Sequence, residues 1–116
     1  MRKVLQDGST RYTLDGKTHR TDGPAIIFAD GGQTWYFDSV IHRADGPAVV
    51  DADGSEWWYF DGRLHRTCGP AVINGKTGEQ EWYFAGLRHR ADGPAVIRVN
   101  GTQEYWMNGV RQPDPE

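Results

Sequence analysis

The stretch His42-Arg43-Ala44-Asp45-Gly46-Pro47-Ala48 decides the fold, because close variants of it recur along the chain. His-Arg pairs begin at positions 19, 42, 65 and 89, so the spacings are 23, 23 and 24 residues. Gly-Pro-Ala follows each pair, and an aspartate precedes the glycine in three of the four copies. Cys68 replaces that aspartate in the third copy. A fixed period of this length is typical of a repeat protein, in which one supersecondary unit is copied.

The 116 residues are interpreted as one repeat domain, because the chain is too short for two ordinary domains and the period runs along nearly all of it. The period sets the bounds of four units, a partial fifth unit and a tail: 7–29, 30–52, 53–76, 77–99, 100–112 and 113–116. Gln112 stands where the fifth unit would have its histidine.

Each unit contains two predicted strands, an aromatic one such as Trp58-Tyr59-Phe60 and an aliphatic one such as Ala71-Val72-Ile73. Asp-Gly or Asn-Gly pairs such as Asp61-Gly62 suit tight hairpin turns, because glycine tolerates positive φ and Asp or Asn can adopt the left-handed conformation. We therefore expect strands that are neighbours in sequence to pair. The predicted fold is all-β, an elongated and twisted antiparallel meander of about ten strands with no substantial helix.

Alternation along the aromatic strands sorts their side chains onto two faces. The residues seven and five positions before each histidine, or before Gln112, share one face and are large and apolar, so we expect them to form the core. They are Tyr12, Trp35, Trp58, Trp82 and Tyr105, and Leu14, Phe37, Phe60, Phe84 and Met107. The residues six and eight positions before it face the other way: Thr13, Tyr36, Tyr59, Tyr83 and Trp106, and Arg11, Thr34, Trp57, Glu81 and Glu104.

This second face carries the predicted partner-binding residues, because Tyr and Trp are among the residue types that dominate interface hot spots. They form an aromatic ladder with flanking carboxylates: Tyr36, Trp57, Tyr59, Tyr83, Trp106, Glu56, Glu81 and Glu104. The alternative is that curling of the sheet or a second copy of the chain covers this face. Aliphatic side chains point both ways in the second strands, so both interpretations stay open.

The four histidines invite a metal hypothesis, but the spacing argues against it. Equivalent positions in adjacent units lie two strands apart, roughly 9–10 Å, whereas zinc needs ligands within about 2.0–2.3 Å of one ion. We expect each histidine to hydrogen-bond backbone and to pack on the next unit. These structural histidines are His19, His42, His65 and His89.

The arginine after each histidine is expected to contact the aspartate two residues on, which would close the turn. These arginines are Arg20, Arg43, Arg66 and Arg90, and Arg66 lacks its acid because Cys68 stands there. The functional alternative is a spaced row of guanidinium groups that engages an acidic partner.

Catalysis and cofactors are not expected. A Cys–His catalytic pair needs contact, an orienting third group and an oxyanion hole, and nothing beyond the spacing of His65 and Cys68 specifies them. The sequence contains no serine elbow, no phosphate-binding glycine loop and no paired-carboxylate motif outside the repeat. We therefore predict no enzyme, no metal and no cofactor.

Charge and hydropathy restrict the partners. The chain has 13 basic and 16 acidic residues, a net charge of −3, which argues against direct binding of nucleic acid. No apolar run approaches the roughly 18 residues of a membrane span, so no membrane insertion is expected. One cysteine allows no intramolecular disulfide, and the N-terminus shows no signal-peptide pattern, so the expected location is the cytoplasm, or the host cytoplasm for a phage-encoded protein.

Two stretches, 58–65 and 82–89, combine an aromatic strand with Gly-x-x-His, and this pattern resembles the MORN repeat. The usual glycine after the histidine is replaced here by arginine. The His-Arg-x-Asp-Gly-Pro-Ala variant resembles repeats found in short phage, bacterial and giant-virus proteins. The resemblance implies successive β-hairpins in an elongated, twisted sheet and a role in protein contacts, with lipid binding claimed for some members. It implies no catalytic residues.

The sequence thus predicts a non-catalytic protein–protein interaction module. One version is a small phage-type inhibitor or adaptor that occludes the surface of a host protein, with the acidic flank matching a basic surface. One alternative is a repeat protein that binds glycans or another small ligand. Another is a homo-oligomeric scaffold that associates through sheet edges or faces.

Overall fold

The protein is built from short antiparallel strands, and its computed structural model describes residues 1–115. The eighteen strands in chain order are β1 (Arg2–Val4), β2 (Thr10–Leu14), β3 (Lys17–Thr18), β4 (Ile26–Ile27), β5 (Gln33–Thr34), β6 (Tyr36–Phe37), β7 (Val40–Ile41), β8 (Val49–Val50), β9 (Glu56–Trp57), β10 (Tyr59–Phe60), β11 (Arg63–Leu64), β12 (Val72–Ile73), β13 (Gln80–Glu81), β14 (Tyr83–Phe84), β15 (Leu87–Arg88), β16 (Val96–Ile97), β17 (Gln103–Met107) and β18 (Val110–Gln112). This part of the chain contains no helix. It therefore has no helix that is long and apolar enough to span a membrane.

One twelve-stranded sheet forms the centre of the molecule. Its order is β1-β2-β4-β5-β8-β9-β12-β13-β16-β17-β18, with β3 paired to β2. The other six strands form three separate hairpins, β6–β7, β10–β11 and β14–β15. Every pairing is antiparallel, and the molecule measures 55 × 26 × 18 Å. The prediction of an all-β, elongated antiparallel meander is confirmed.

The strands are more numerous than the sequence predicts because the return strand of each hairpin is interrupted. In the second unit, Trp35 donates its N–H to the carbonyl of Ala48 and accepts a hydrogen bond from the N–H of His42. Residues 43–47 therefore loop out opposite Trp35. We call this loop, and the equivalent loop in each other unit, the excursion. The strand before it, β7, belongs to the projecting hairpin β6–β7, and the strand after it, β8, belongs to the central sheet. The short return strands β7, β11 and β15 were missing from the prediction.

The hairpin tips use the turn chemistry expected of Asp-Gly pairs. Asp61 and Gly62 have φ values of 49° and 78°, and the flanking residues Phe60 and Arg63 pair directly. Positive φ at both central residues belongs to the hairpin turn whose twist matches that of the strands. In the second unit the same turn contains Ser39 at φ 66°, a conformation that an L side chain adopts at a cost.

The interior is small and is made mostly of alanine. The alanines of the four Gly-Pro-Ala segments are fully buried, and Val96 is 1 % exposed. Ala48 donates its N–H to the carbonyl of Trp57 and accepts from the N–H of Trp35, so it lies between two aromatic segments. Because these positions are fully buried, a larger side chain there would have to displace its neighbours.

One of the two predicted core columns is on the surface. Its members are 39–53 % exposed: Leu14, Phe37, Phe60, Phe84 and Met107. The prediction was wrong because Phe37, Phe60 and Phe84 lie on the three projecting hairpins. Leu14 and Met107 lie at the ends of β2 and β17 that pair with β3 and β18. The column of Tyr12, Trp35, Trp58, Trp82 and Tyr105 is half-buried.

Candidate interaction surface

The Arg-x-Asp-Gly-Pro segment forms a clamp around the aromatic ring of its own unit. In the second unit, the guanidinium of Arg43 lies 4.0 Å from the centroid of the Trp35 ring. Its Nη1 donates to the carbonyl of Pro47 at 3.1 Å, and its Nε donates to Asp45 Oδ1 at 3.3 Å. A Cβ on Gly46 would lie 2.6 Å from the Arg43 Cζ, so a side chain there would displace the guanidinium from its stacked position.

The same stacking recurs in the other three complete units. Guanidinium-to-centroid distances are 3.7–4.0 Å for Arg20 over Tyr12, Arg66 over Trp58 and Arg90 over Trp82. Stacking on the ring and donation to the proline carbonyl together hold the excursion against the sheet. The motif is therefore explained by contacts within its own unit.

Each histidine joins its unit to the next one. The backbone N–H of Asp61 donates to His42 Nδ1 at 2.9 Å, and Gly62 donates to the carbonyl of Ile41 at 2.8 Å. The other three histidines accept equivalent bonds at 2.9–3.0 Å, from Asp38 to His19, from Ala85 to His65 and from Asn108 to His89. Residues 1–115 contain no group of three or more metal-ligating side chains.

Phenylalanine and histidine rings alternate along the projecting hairpins. Each phenylalanine ring centroid lies 4.5–4.6 Å from the preceding histidine and 6.1–6.4 Å from the following one. Phe37, Phe60 and Phe84 are 45–49 % exposed. We call this surface the Phe–His ridge and define it by Phe37, Phe60, Phe84, His19, His42, His65 and His89.

Two depressions border the ridge. The larger, of about 720 Å³, lies between the excursions of the third and fourth units and includes Phe84, Arg66 and Asp92. The smaller, of about 430 Å³, is lined by residues that include Phe60 and Arg63. The clamp aspartates Asp22, Asp45 and Asp92 have side chains that are 83–89 % exposed, so carboxylates project from the excursions.

The aromatic ladder predicted from the sequence is half-buried. Its members are Tyr36, Trp57, Tyr59, Tyr83 and Trp106. Trp57 pairs in register with Val49 and Val72 in the central sheet, so its indole lies in an aliphatic row. Burial raises the pKa of the Tyr83 phenol, and its hydroxyl donates to Glu81 Oε1 at 3.1 Å.

The three glutamates predicted to flank that ladder all have partners in the structure. Arg88 Nη2 donates to Glu81 at 2.9 Å, and Trp58 Nε1 donates to Glu56 at 3.4 Å. Glu104 is 8 % exposed, and its hydrogen bond from Arg98 at 2.8 Å lowers the pKa of its carboxyl. Two of the three acids are thus neutralised by arginine and do not form a free acidic flank.

Sequence reasoning missed the Phe–His ridge and the arginine partners of the glutamates. Arg88 pairs in register with Tyr83 across the hairpin β14–β15, so the short return strand was the missing signal. No protein-family model matches the sequence, and no curated protein matches it. The surface is therefore interpreted from its own geometry.

Proposed function

We propose that this protein is a non-catalytic interaction module that binds a protein partner through the Phe–His ridge. The observation that carries the proposal is the exposure of three phenylalanine rings, 45–49 % each, in one row along the molecule. Large aromatic side chains supply much of the binding energy of protein interfaces. A regular row of half-exposed rings is the feature of this surface that best fits a binding role.

The size of the apolar contribution is adequate for specific binding. Burying the exposed half of three phenylalanine rings would remove on the order of 250 Å² of apolar surface from water. At about 25 cal/mol per Å² this is worth about 6 kcal/mol before the entropic costs of association. The histidine rings between the phenylalanines are more buried, with the side chains of His19 and His42 only 11 % and 22 % exposed, so the phenylalanines supply most of the contact area.

The charges around the ridge indicate the class of partner. Asp38 and Asp61 lie at the hairpin tips beside His19 and His42 of the ridge, their side chains are 53 % and 79 % exposed, and the chain carries a net charge of −3. A complementary partner has an apolar groove bordered by lysine or arginine. The resemblance to MORN-like repeats of phage and bacterial proteins supports an inhibitor or adaptor that acts by covering such a groove in a cytoplasmic partner.

The experiment compares two matched double variants in affinity capture from lysate of the cells in which the protein acts. Phe60→Ala with Phe84→Ala removes two rings of the ridge. Tyr59→Ala with Tyr83→Ala removes two adjacent rings of the predicted ladder. Circular dichroism and the unfolding midpoint of each variant establish that both remain folded.

A protein retained by the wild type and by the tyrosine variant, but lost by the phenylalanine variant, supports the ridge as the binding surface. If the phenylalanine variant still captures the protein and the tyrosine variant does not, the binding surface is the aromatic ladder and not the ridge. Retention by both variants contradicts the ridge.

A further inference from the structure

The clamp of the third unit lacks one hydrogen bond that the other three clamps make. Nε of Arg20, Arg43 and Arg90 donates to an aspartate at 2.9, 3.3 and 3.1 Å. Nε of Arg66 is buried and has no hydrogen-bond partner among residues 1–115. A buried donor without an acceptor destabilises the folded state. The position that supplies the acceptor elsewhere is occupied here by the exposed Cys68.

Arg66 keeps the geometry of the other clamp arginines despite this loss. Its guanidinium lies 3.7 Å from the centroid of Trp58, and its Nη1 donates to the carbonyl of Pro70 at 3.1 Å. A planar guanidinium held at both of these points has its Nε–H directed as in the other units, towards position 68. The N–H at Arg66 Nε therefore points towards the side chain of Cys68, which replaces the aspartate of the other units.

We propose that Cys68 is an oxidative modification site, and that its sulfinate completes the clamp by accepting the hydrogen bond from Arg66 Nε. A cysteine sulfinate places two oxygens on the atom that follows Cβ, as an aspartate carboxylate does. It also carries one negative charge, so it reproduces the acceptor of the other three units. Because Nε is buried, an acid attached at position 68 reaches it more readily than an acid arriving from solvent.

The chemistry requires a hydroperoxide as oxidant, and hydrogen peroxide is the simplest. The thiol releases its proton, and the thiolate attacks one peroxide oxygen, so an S–O bond forms and the O–O bond breaks. The hydroxide that leaves takes up the released proton and becomes water, and the product is the sulfenic acid. A second peroxide repeats the step on sulfur and yields the sulfinic acid and a second water. Sulfur loses four electrons in total, two to each peroxide, and the sulfinic acid releases its proton to solvent.

Two features favour this product at Cys68. The chain has one cysteine, so the sulfenic acid has no second thiol in the same molecule with which to form a disulfide. Cys68 and Arg66 also line the groove of about 720 Å³, which is open to a molecule as small as peroxide. The groove then gains a negative charge next to the ring of Phe84, so modification alters one end of the ridge.

The test treats the purified protein with hydrogen peroxide and follows its mass and its arginine side-chain resonances. We expect a gain of about 32 Da at Cys68. In proton–nitrogen correlation spectra, the Nε–H signal of Arg66 should move towards those of Arg20, Arg43 and Arg90. The unfolding midpoint should rise by about 2–5 °C. Cys68→Asp should reproduce both shifts without oxidant.

Two further variants keep the result specific. Cys68→Ser cannot form the sulfinate, so peroxide should leave its Arg66 signal and its midpoint unchanged. Arg66→Met has neither a side-chain donor nor a charge, so oxidation should add the mass without raising the midpoint. A disulfide-linked dimer in place of the sulfinate overturns the proposal. So does a sulfinate that leaves the Arg66 signal of the wild type unmoved, whether or not Cys68→Asp moves it.

Discussion

Each residue of the recurring motif has a contact that accounts for its chemical type. The arginine stacks on an aromatic ring, and the proline supplies a carbonyl acceptor, as Arg43 and Pro47 show. The glycine leaves room for the guanidinium, and the alanine occupies a fully buried position, as at Gly46 and Ala48. The interior is therefore made of small residues and stacked arginines, with few large aliphatic side chains.

Gly46→Ala should destabilise the protein because the new Cβ would lie 2.6 Å from Arg43 Cζ and displace the guanidinium from Trp35. We expect a loss of about 1–3 kcal/mol in the free energy of unfolding. Chemical denaturation measures it. The control is the same substitution in an Arg43→Ala background, where the clash partner is absent and the cost should largely disappear. An equal cost in both backgrounds would show that the arginine is not the reason for the glycine.

Ser39→Gly should stabilise the protein, because Ser39 holds φ 66° at a turn position that is glycine in the other hairpins. Removing the side chain relieves left-handed strain, and we expect a gain of about 0.5–1 kcal/mol in the free energy of unfolding. The matched control is Gly62→Ala, which puts a side chain at φ 78° and 3.3 Å from Val40 Cγ1, and should destabilise by a similar amount. A neutral or destabilising Ser39→Gly contradicts this interpretation of the turn.

At the scale of elements, the hairpins stack on one another through backbone donors and histidine acceptors. The turn of β10–β11 donates from Asp61 to His42 and from Gly62 to Ile41 in the preceding hairpin. Gln112 replaces histidine in the fifth unit, where no further hairpin follows within residues 1–115, and its side chain donates to the nearby carbonyl of Val110. The histidine is thus a coupling residue between consecutive units.

His42→Ala should weaken the coupling by removing the acceptor for the Asp61 N–H. The expected cost is about 1–2 kcal/mol in the free energy of unfolding. His42→Asn should cost less, because its side-chain oxygen can take the place of Nδ1. Gln112→Ala is the control and should change stability by less than about 0.5 kcal/mol. Denaturant melts of the three variants give the order, and equal costs for alanine and asparagine would contradict an acceptor role.

The features predicted from sequence are those set by local chemistry. The period, the meander and tight turns such as Asp61-Gly62 follow from residue spacing and from glycine conformations. The return strand Arg63–Leu64 is only two residues long, so it leaves no periodic pattern. Alternation shows that the side chains of Trp58 and Phe60 point to the same face of the sheet. It does not show whether other residues cover that face. The exposed position of Phe60 therefore required the structure.

At the scale of the whole molecule, contacts run between neighbouring units along a body 55 Å long, so stability is close to a sum over units and their junctions. Removal of a complete period should therefore leave every junction in register. Deleting residues 36–58 joins Trp35 to Tyr59 and preserves the spacing of the repeat.

The deletion variant should fold into a shorter sheet that unfolds cooperatively. Its m-value, the slope of the unfolding free energy against denaturant concentration, should be lower by roughly a fifth, because that share of the chain is absent. The control deletes residues 36–57, one residue fewer, which moves the following strand to the opposite face and should prevent native folding. Circular dichroism and denaturant melts distinguish the two, and equal folding of both would contradict the register.

The most direct test of the account compares the unfolding free energies of Trp58→Ala and Phe60→Ala. Trp58 lies under the guanidinium of Arg66, whereas Phe60 is 45 % exposed on the Phe–His ridge. We predict a loss of at least about 2 kcal/mol for Trp58→Ala and of about 1 kcal/mol or less for Phe60→Ala. A larger loss for Phe60→Ala than for Trp58→Ala would place the phenylalanine rings in the interior and contradict the ridge as a binding surface.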